Sequence, residues 1–217
     1  MCAVSLGGTL AAEAPPLSGF VDAADAVPGL LVEMRYAGPD NFVGERIDGY
    51  EAPRCWLTKA AAAALAAAQA TLKADGLGLK AFDCYRPARA VAHFVRWAET
   101  PGADAGKARY FPDIPKQELF RRGYIGARSS HSRGSTVDLT LVRLDSGAEL
   151  PMGTPFDFFG AASGRNGPGI GRPELANRER LRAVMVRHGF SPYDREWWHF
   201  TFKREPFPTT TFDAPIR

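Results

Sequence analysis

The stretch SSHSRGSTVDLTL, residues 129–141, carries the pattern on which the fold assignment rests. Its second part is rich in β-branched residues, and this content predicts a strand that continues to about residue 144. Gly134 stands among serines ahead of that strand and predicts a turn. Along a straight strand, His131 and Asp138 would lie roughly 23 Å apart. They can share a site only if the chain folds back at Gly134.

Clear helix and strand signals precede this stretch. Thr58 as N-cap, a run of alanines and Gly76 as the stop predict a helix between them. LGLKAFD, residues 77–83, alternates apolar and polar positions and predicts a half-buried strand. Pro87 disfavours the α region for Arg86 and predicts a helix over ARAVAHFVRWAE. Arg86 is therefore expected at a strand-to-helix corner, from which it can project into a cleft.

The second half of the chain places strands around a further helix. PELANRERLRAVMVRHG, residues 173–189, predicts a helix with a proline near its start and a glycine at its end. EWWHFTFK, residues 196–203, predicts an aromatic strand that closes the fold. Residues 153–171 form a long glycine-rich loop, and such loops usually carry function. Because helices and strands do not alternate regularly, we expect an α+β domain with a central antiparallel sheet flanked by helices.

Length and composition favour one globular domain. A chain of 217 residues fits one domain better than two, and we assign residues 17–217 to it and residues 1–16 to an N-terminal tail. Hydrophobic residues at 45% and charged residues at 24% exclude disorder. The 27 basic and 24 acidic side chains are scattered, so no nucleic-acid partner is expected. No apolar stretch reaches eighteen residues, so no transmembrane helix is expected.

The first residues resemble part of a secretory signal. CAVSLGGTLAAEAPP has an apolar region and a small-residue sequence, Ala12-Glu13-Ala14, that is typical of a cleavage site, but no Lys or Arg precedes it. A signal peptide with a misplaced start would predict a periplasmic protein. A small-residue tail without a targeting role would predict a cytoplasmic one.

Histidines and cysteines are few and limit any metal site. The three cysteines are widely spaced without a C-x-x-C pair, and they predict neither a disulfide framework nor a cysteine zinc site. His93 and His188 fall in predicted helices and look structural. His131, Asp138 and His199 can together bind a zinc ion and leave a fourth position for water, which is the arrangement of a catalytic zinc site.

Glu196 is a carboxylate that could reach the same site. It stands three positions before His199, and this odd separation puts the two side chains on opposite faces of a regular strand. Both reach one cleft if Glu196 lies in the loop or bulge before the strand. Taken singly, each feature also fits an ordinary role, namely a histidine held by hydrogen bonds and EWWHF as an aromatic core strand.

Taken together, these segments resemble the zinc D-alanyl-D-alanine dipeptidases of the VanX type. These belong to the wider D-Ala-D-Ala metallopeptidases, which share a Hedgehog-like α+β fold. The wider pattern, S-x-H-x-x-G-x-A-x-D and then E-x-x-H, runs here from Ser129 to Asp138 and from Glu196 to His199, with Thr136 where alanine is usual. Three further segments resemble the dipeptidase subgroup, namely YAGPDNFVGERIDGYE (36–51), FDCYRPARAV (82–91) and PMGTPFDFF (151–159). The resemblance covers nearly the whole chain after about residue 20.

The resemblance implies a role for each candidate residue. His131, Asp138 and His199 would bind one Zn²⁺ per chain, which lowers the pKa of a bound water to about 7. Glu196 would act as general base and then as general acid. Arg86, which is always charged, would stabilise the negative oxygen of the transition state.

Four further positions form an expected substrate-binding set. Tyr36, Ser129 and Asp157 match positions that border the substrate in the subgroup, and a carboxylate such as Asp157 suits the free ammonium of a dipeptide. Asp83 stands three residues before Arg86. It either holds the guanidinium or serves as a hydrogen-bond acceptor at the end of the strand.

The expected function is zinc-dependent hydrolysis of the small dipeptide D-alanyl-D-alanine. One alternative is a D,D-carboxypeptidase that acts on longer peptidoglycan stem peptides, and the loops at 100–130 and 153–171 would decide between the two by capping the cleft or leaving it open. A second alternative, from another class, is a zinc-containing binding module without catalysis. Structural zinc usually takes four protein ligands, and only three are evident here.

Overall fold

A computed structural model describes residues 17–102 and 104–217. The N-terminal segment that resembles a secretory signal, with the tail assigned to residues 1–16, lies outside these residues. The strands and α-helices, in chain order, are β1 (Phe20–Asp22), α1 (Ala23–Ala26), β2 (Leu31–Val32), β3 (Trp56–Thr58), α2 (Lys59–Lys73), β4 (Leu77–Asp83), α3 (Ala88–Glu99), α4 (Lys107–Tyr110), α5 (Glu118–Arg121), β5 (Thr136–Arg143), α6 (Arg172–Arg187), β6 (Phe190–Tyr193) and β7 (Glu196–Phe202).

A five-stranded sheet forms the centre of the molecule, in the order β2-β4-β5-β7-β6. Every neighbouring pair is antiparallel except β2 and β4, which run parallel. A parallel pair needs a long crossover, and here the chain between the two strands contains β3 and α2. The expected α+β fold with a central antiparallel sheet and flanking helices is confirmed, with the short edge strand β2 as its one parallel member.

The alanine-rich segment forms the predicted helix. The Thr58 side chain accepts a hydrogen bond from the Ala61 amide, as an N-cap does, and Gly76 beyond the helix has a φ of +68°. Leu65 and Leu72 are buried, and α2 packs against β4 and α6. The small alanine side chains allow this close approach, so α2 and α6 together cover part of the sheet.

The strand predicted at residues 77–83 is present but is not half-buried. Six of its seven residues are buried, and only Lys80 is partly exposed. The alternation in the sequence was misleading, because Gly78 and Asp83 are covered by neighbouring elements just as the apolar residues are. As predicted, Arg86 lies between β4 and α3, with Pro87 as the N-cap residue of the helix.

A disulfide joins Cys55 and Cys84, contrary to the sequence prediction. The two cysteines are 29 positions apart in sequence, but their Cα atoms lie 5.2 Å apart. They meet because the end of β4 runs beside the start of β3, where the Tyr85 amide donates to the Trp56 carbonyl over 2.9 Å. Spacing in the sequence does not reveal such a pairing.

The sequence also missed the elements at the margins of the fold. β1 and β3 form a separate two-stranded antiparallel sheet, and β6 pairs with β7. The strand β7 does not close the fold, since the chain continues back across the molecule. Ile216 is fully buried, and its amide donates to the Gly49 carbonyl over 2.7 Å.

The long loop at 153–171 is anchored from behind by Arg178 of α6. This buried guanidinium donates to the backbone carbonyls of Met152, Ala162 and Gly164 over 2.7 to 2.8 Å. An arginine that bonds three carbonyls of one loop fixes the path of that loop. Within the described ranges, no helix has the length and apolar character needed to cross a membrane.

Candidate active site

Three neighbouring strands bring polar side chains side by side. In the sheet register, Asp83 of β4 faces Asp138 of β5, and Asp138 faces His199 of β7. A bulge between Ala81 and Asp83 shifts the register of β4 and sets Asp83 beside Asp138. The sheet thus aligns two carboxylates and one imidazole across three strands.

His131 joins them from a turn. Residues Ser130–Arg133 form a 3-10 helix whose first amides are capped by Ser129, since the Ser129 hydroxyl accepts from the His131 amide over 3.2 Å. Gly134 ends this turn in the left-handed conformation, with a φ of +76°. The fold-back required to bring His131 to Asp138 is therefore present where the sequence predicted it.

The side chains of His131, Asp138 and His199 converge on one point. The Asp138 Oδ1 atom lies 3.2 Å from His131 Nε2 and 3.1 Å from His199 Nδ1, and the two nitrogens are 3.3 Å apart. Among the described residues, these three form the one group of His, Cys, Asp or Glu side chains whose ligand atoms lie close enough to hold a metal ion.

The donor atoms of this group fit a cation. His131 Nδ1 donates to the Cys84 carbonyl over 2.7 Å, and this bond leaves the lone pair of Nε2 directed at the group. Asp138 Oδ1 is buried and has no hydrogen-bond partner, although two ring nitrogens face it. Burial opposes ionisation, but the positive charge that the two imidazoles carry when they are protonated outweighs it and lowers the pKa of Asp138. A bound cation in the same place would take over that role from the protons. A buried, ionised carboxylate oxygen between two imidazole lone pairs is a typical metal-binding arrangement.

Glu196 stands at the edge of this group. It lies at the start of the strand rather than in a loop before it, and the irregular register of β6 with β7 at Pro192 and Tyr193 corresponds to the bulge that the sequence required. It is the first residue of β7 and pairs with Tyr193 across the two-residue turn that connects β6 to β7. Its Oε2 atom lies 3.6 Å from His199 Nδ1. Burial raises the pKa of Glu196 above its ordinary value, which suits a carboxyl that exchanges protons near neutral pH.

Arg86 reaches the same point from the corner after β4. Its guanidinium bonds the Asp83 carboxylate through Nε at 2.9 Å and Nη2 at 2.7 Å, and Nη2 lies 3.6 Å from Asp138. The rings of Tyr36 and Phe94 lie under it, with its Cζ 5.1 and 5.3 Å from their centroids. These contacts hold the cation in one orientation.

Asp83 is the anchor of Arg86 rather than a lining residue of the cavity. It is fully buried, and it also accepts a hydrogen bond from the Tyr50 hydroxyl over 2.6 Å. Of the two roles that the sequence left open for Asp83, the structure shows the contact with the Arg86 guanidinium. The sequence did not single out Tyr50 as a site residue, because its contact with Asp83 joins positions 33 apart in the chain and exists only in the folded protein.

Asp157 is held in an unusual backbone conformation. Its φ is +61°, which makes it the one non-glycine residue with positive φ in the described part of the chain. Asp tolerates this region better than most residues, but holding it there still requires support from the surrounding structure. The Tyr36 hydroxyl donates to the Asp157 carboxylate over 2.8 Å, and burial raises the pKa of Asp157 well above its ordinary value.

One cavity of about 330 Å³ brings these groups together. It is lined by the predicted residues Tyr36, Arg86, Ser129, His131, Asp138, Asp157, Glu196 and His199, and also by Tyr124, Arg128, Phe159, Tyr193 and Trp198, which the sequence did not single out as site residues. Trp198 was expected only in the core. His93 and His188 do not line the cavity: His93 contacts Glu45, and His188 bonds Thr71.

Comparison with known proteins identifies a family that covers nearly the whole chain. A family model described as D-ala-D-ala dipeptidase matches residues 17–217. The chain belongs to the D-Ala-D-Ala dipeptidase family. A curated D-alanyl-D-alanine dipeptidase from Streptomyces coelicolor is 47% identical over 91% of this chain and 96% of its own length. Proteins of the same name from Enterococcus faecium and Escherichia coli are 42% and 36% identical, over 92% and 83% of this chain and 98% and 83% of their own lengths.

Membership of the D-Ala-D-Ala dipeptidase family makes this protein a peptidase. The family is one of metallopeptidases, and the convergent His131, Asp138 and His199 side chains agree with that class. The resemblance noted in the sequence is therefore confirmed at the level of the family.

Proposed function

We propose that this protein is a zinc-dependent dipeptidase that cleaves free D-alanyl-D-alanine into two molecules of D-alanine. The observation that carries the proposal is the convergence of a three-residue metal-binding group, Glu196 and Arg86 in one small cavity. The names of the curated relatives support the substrate. A cavity of about 330 Å³ is at the lower end of the range for small-molecule sites, which suits a dipeptide.

His131, Asp138 and His199 would hold the zinc ion. Three protein ligands of the nitrogen and oxygen type correspond to a catalytic zinc site, whereas a structural site usually takes four. When bound, such an ion polarises the substrate carbonyl and lowers the pKa of a water molecule. The Cys84 carbonyl accepts a hydrogen bond from the His131 ring, and the Ser129 hydroxyl accepts one from the His131 backbone amide. The bond to the ring orients the imidazole, as such bonds do for metal-binding histidines.

Glu196 carries the proton of the reaction. Its carboxylate accepts a proton from the attacking water as the oxygen of that water forms its bond to the peptide carbonyl carbon. The same carboxyl then gives the proton to the nitrogen of the leaving D-alanine as the carbon–nitrogen bond breaks. The products are two free amino acids, and Glu196 is ionised again.

Arg86 stabilises the negative charge that develops on the carbonyl oxygen. Its guanidinium is held by Asp83 before the substrate arrives, so little reorganisation is needed during the reaction. Asp157 and Tyr36 bind the free ammonium group at the other end of the dipeptide. Burial disfavours the ionised form of Asp157, and a bound ammonium group beside it would favour that form again. The pair therefore favours a free dipeptide over an acylated one, because an amide nitrogen carries no charge.

The test uses purified protein stripped of metal by a chelator and then supplied with one equivalent of Zn²⁺. We expect two D-alanines to be released for each D-Ala-D-Ala consumed, and no release before zinc is added. Glu196→Gln should lower kcat by about 100-fold or more, while the zinc content measured after dialysis stays at that of the wild type. Absence of D-alanine release from the zinc-loaded protein would refute the proposal. Equal rates on N-acetyl-D-Ala-D-Ala would instead indicate a carboxypeptidase.

We propose further that the protein works in an oxidising compartment, the periplasm, rather than in the cytoplasm. The support is the buried disulfide between Cys55 and Cys84, because disulfides form and persist in oxidising compartments and are rare in the cytosol. Cell fractions treated with a thiol-blocking reagent before lysis would test this. We expect the protein in the periplasmic fraction with both thiols unreactive, and recovery in the cytoplasmic fraction with reactive thiols would contradict it.

A further inference from the structure

Two segments that touch each other meet beside the active-site cavity. One is the turn between β6 and β7, residues 194–195, which leads directly into Glu196. The other, here called the cap segment, comprises residues 122–126 after α5. Gly123, Tyr124, Ile125 and Gly126 of the cap segment line the cavity, as do Tyr193 and Glu196 at either end of the turn.

Arg195 makes the contact between the two segments. Its Nη2 donates to the Arg122 carbonyl over 3.2 Å, and its Cζ lies 4.9 Å from the centroid of the Tyr124 ring. A Cβ atom at Gly123 would lie 3.5 Å from Arg195 Nη1, so the backbone of the cap segment is directly under the guanidinium. A charged hydrogen bond and a cation–π contact therefore act on the same short segment.

Tyr124 extends the bridge to the loop that carries Asp157. Its ring lies 5.8 Å from the ring of Phe159, which lines the cavity two residues after Asp157. Arg195, Tyr124 and Phe159 thus form a continuous chain of contacts from the turn before Glu196 to the loop at 153–171. Tyr124 and Phe159 of this chain line the same cavity as Asp157, which would bind the ammonium group of the substrate.

We propose that Arg195 is a latch that holds the cap segment over the cavity and thereby sets the length limit of the substrate. The inference rests on the proposed function, because it takes the end of the substrate at Asp157 to be its amino terminus. A group attached to that nitrogen would extend toward the wall formed by Phe159 and Tyr124. With the cap segment held in this place, we expect that wall to exclude such a group and to favour a free dipeptide.

The experiment compares Arg195→Ala with the wild type on two substrates, D-Ala-D-Ala and N-acetyl-D-Ala-D-Ala, using zinc-loaded protein. We expect the ratio of kcat/KM for the acetylated over the free dipeptide to rise about tenfold, the change in preference that loss of one charged surface contact can cause. The substrate ratio is the readout rather than kcat itself, because Arg195 directly precedes Glu196 and its charge acts on that carboxyl in the same way for both substrates. Tyr124→Ala removes the other half of the contact and should shift the ratio in the same direction.

Arg187→Ala is the matched control. It removes the same charge from an exposed position at the end of α6, where Arg187 borders a separate groove with Phe202 and Arg204. We expect its substrate ratio to equal that of the wild type. If Arg195→Ala also leaves the ratio unchanged while the wild type cleaves D-Ala-D-Ala, the latch is refuted and the proposed function stands.

Hydrogen exchange provides a second readout that does not depend on activity. Amides of residues 118–126 should exchange faster in Arg195→Ala than in the wild type or in Arg187→Ala, while those of α2 stay unchanged. If the wild type fails to cleave D-Ala-D-Ala, the proposed function is wrong, and this measurement still decides whether Arg195 holds the cap segment. Unchanged exchange at residues 118–126 would overturn the latch in that case as well.

Discussion

Replacement of Gly134 by alanine tests how the turn positions His131. Gly134 has a φ of +76°, and the Cβ of an alanine there would overlap the ring of Phe20. That ring is 1% exposed and packs edge-on against Tyr85 and Phe212, at centroid distances of 5.6 and 5.4 Å, so it has no space into which to move. Gly76 is a matched control, with a φ of +68° and no atom within 4 Å of the same added Cβ.

The two substitutions differ in a single physical cost. Both place alanine in the left-handed region, which lowers the free energy of unfolding by about 1–2 kcal/mol. Both also stiffen the unfolded chain, which offsets about 0.4–1 kcal/mol of that loss. The overlap with Phe20 adds about 1–3 kcal/mol for Gly134→Ala only. We therefore expect the free energy of unfolding to fall by about 1 kcal/mol for Gly76→Ala and by about 2–4 kcal/mol for Gly134→Ala.

Denaturant unfolding of the metal-free proteins measures these losses. Zinc titration of each variant adds a second measurement. Because Gly134→Ala displaces the turn that carries His131, it should weaken zinc affinity by about tenfold or more, as loss of a group that orients a metal ligand does. Gly76→Ala, at the far end of α2, should bind zinc as the wild type does. Equal losses of stability in the two variants, or unchanged zinc affinity in Gly134→Ala, would refute the reasoning.

Three further outcomes follow from contacts described above. Replacing both Cys55 and Cys84 by alanine opens a loop of 29 positions and should lower the free energy of unfolding by about 3–4 kcal/mol. Thermal unfolding with and without a reductant measures this loss, and an unchanged melting temperature would mean that the disulfide does not form. Asp157→Asn removes the charge opposite the substrate ammonium and should raise KM for D-Ala-D-Ala by about tenfold or more, whereas a change confined to kcat would place Asp157 elsewhere in the reaction. Arg178→Met leaves three loop carbonyls without their donor and should speed hydrogen exchange across residues 152–164; protection equal to the wild type would show that the loop is held by other contacts.

Local signals in the sequence predicted much of the fold, because the deciding interactions were short in range. The Thr58 cap, the alanine run and Gly76 mark the bounds of α2, and Pro87 separates β4 from α3. The burial of β4 was misjudged, since coverage of a strand depends on what packs on each face. The strands β1, β3 and β6 were missed because strands of three or four residues are formed by their partners rather than by their own sequence.

The candidate site also contains residues that the sequence indicated and supporting atoms that it did not. The motif around His131 and the late pair of Glu196 and His199 match the pattern of a known metallopeptidase group, so the sequence indicated the metal-binding group and the proton carrier through that resemblance. It also indicated Arg86 at a corner. It did not indicate which atoms support them, because the Cys84 carbonyl and the Tyr50 hydroxyl come from loop positions far apart in the chain that meet the site only in the folded protein.

The sequence by itself determined the class of chemistry and the order of the elements, because both depend on residue types and on contacts within a few positions along the chain. Only the tertiary structure decided the pairing of Cys55 with Cys84, the anchoring of Arg86 by Asp83 and the contact of Arg195 with the cap segment. Each of these joins backbone segments whose separation in space is set by sheet register and helix packing. Register depends on the whole set of packed side chains, and no local pattern contains that information.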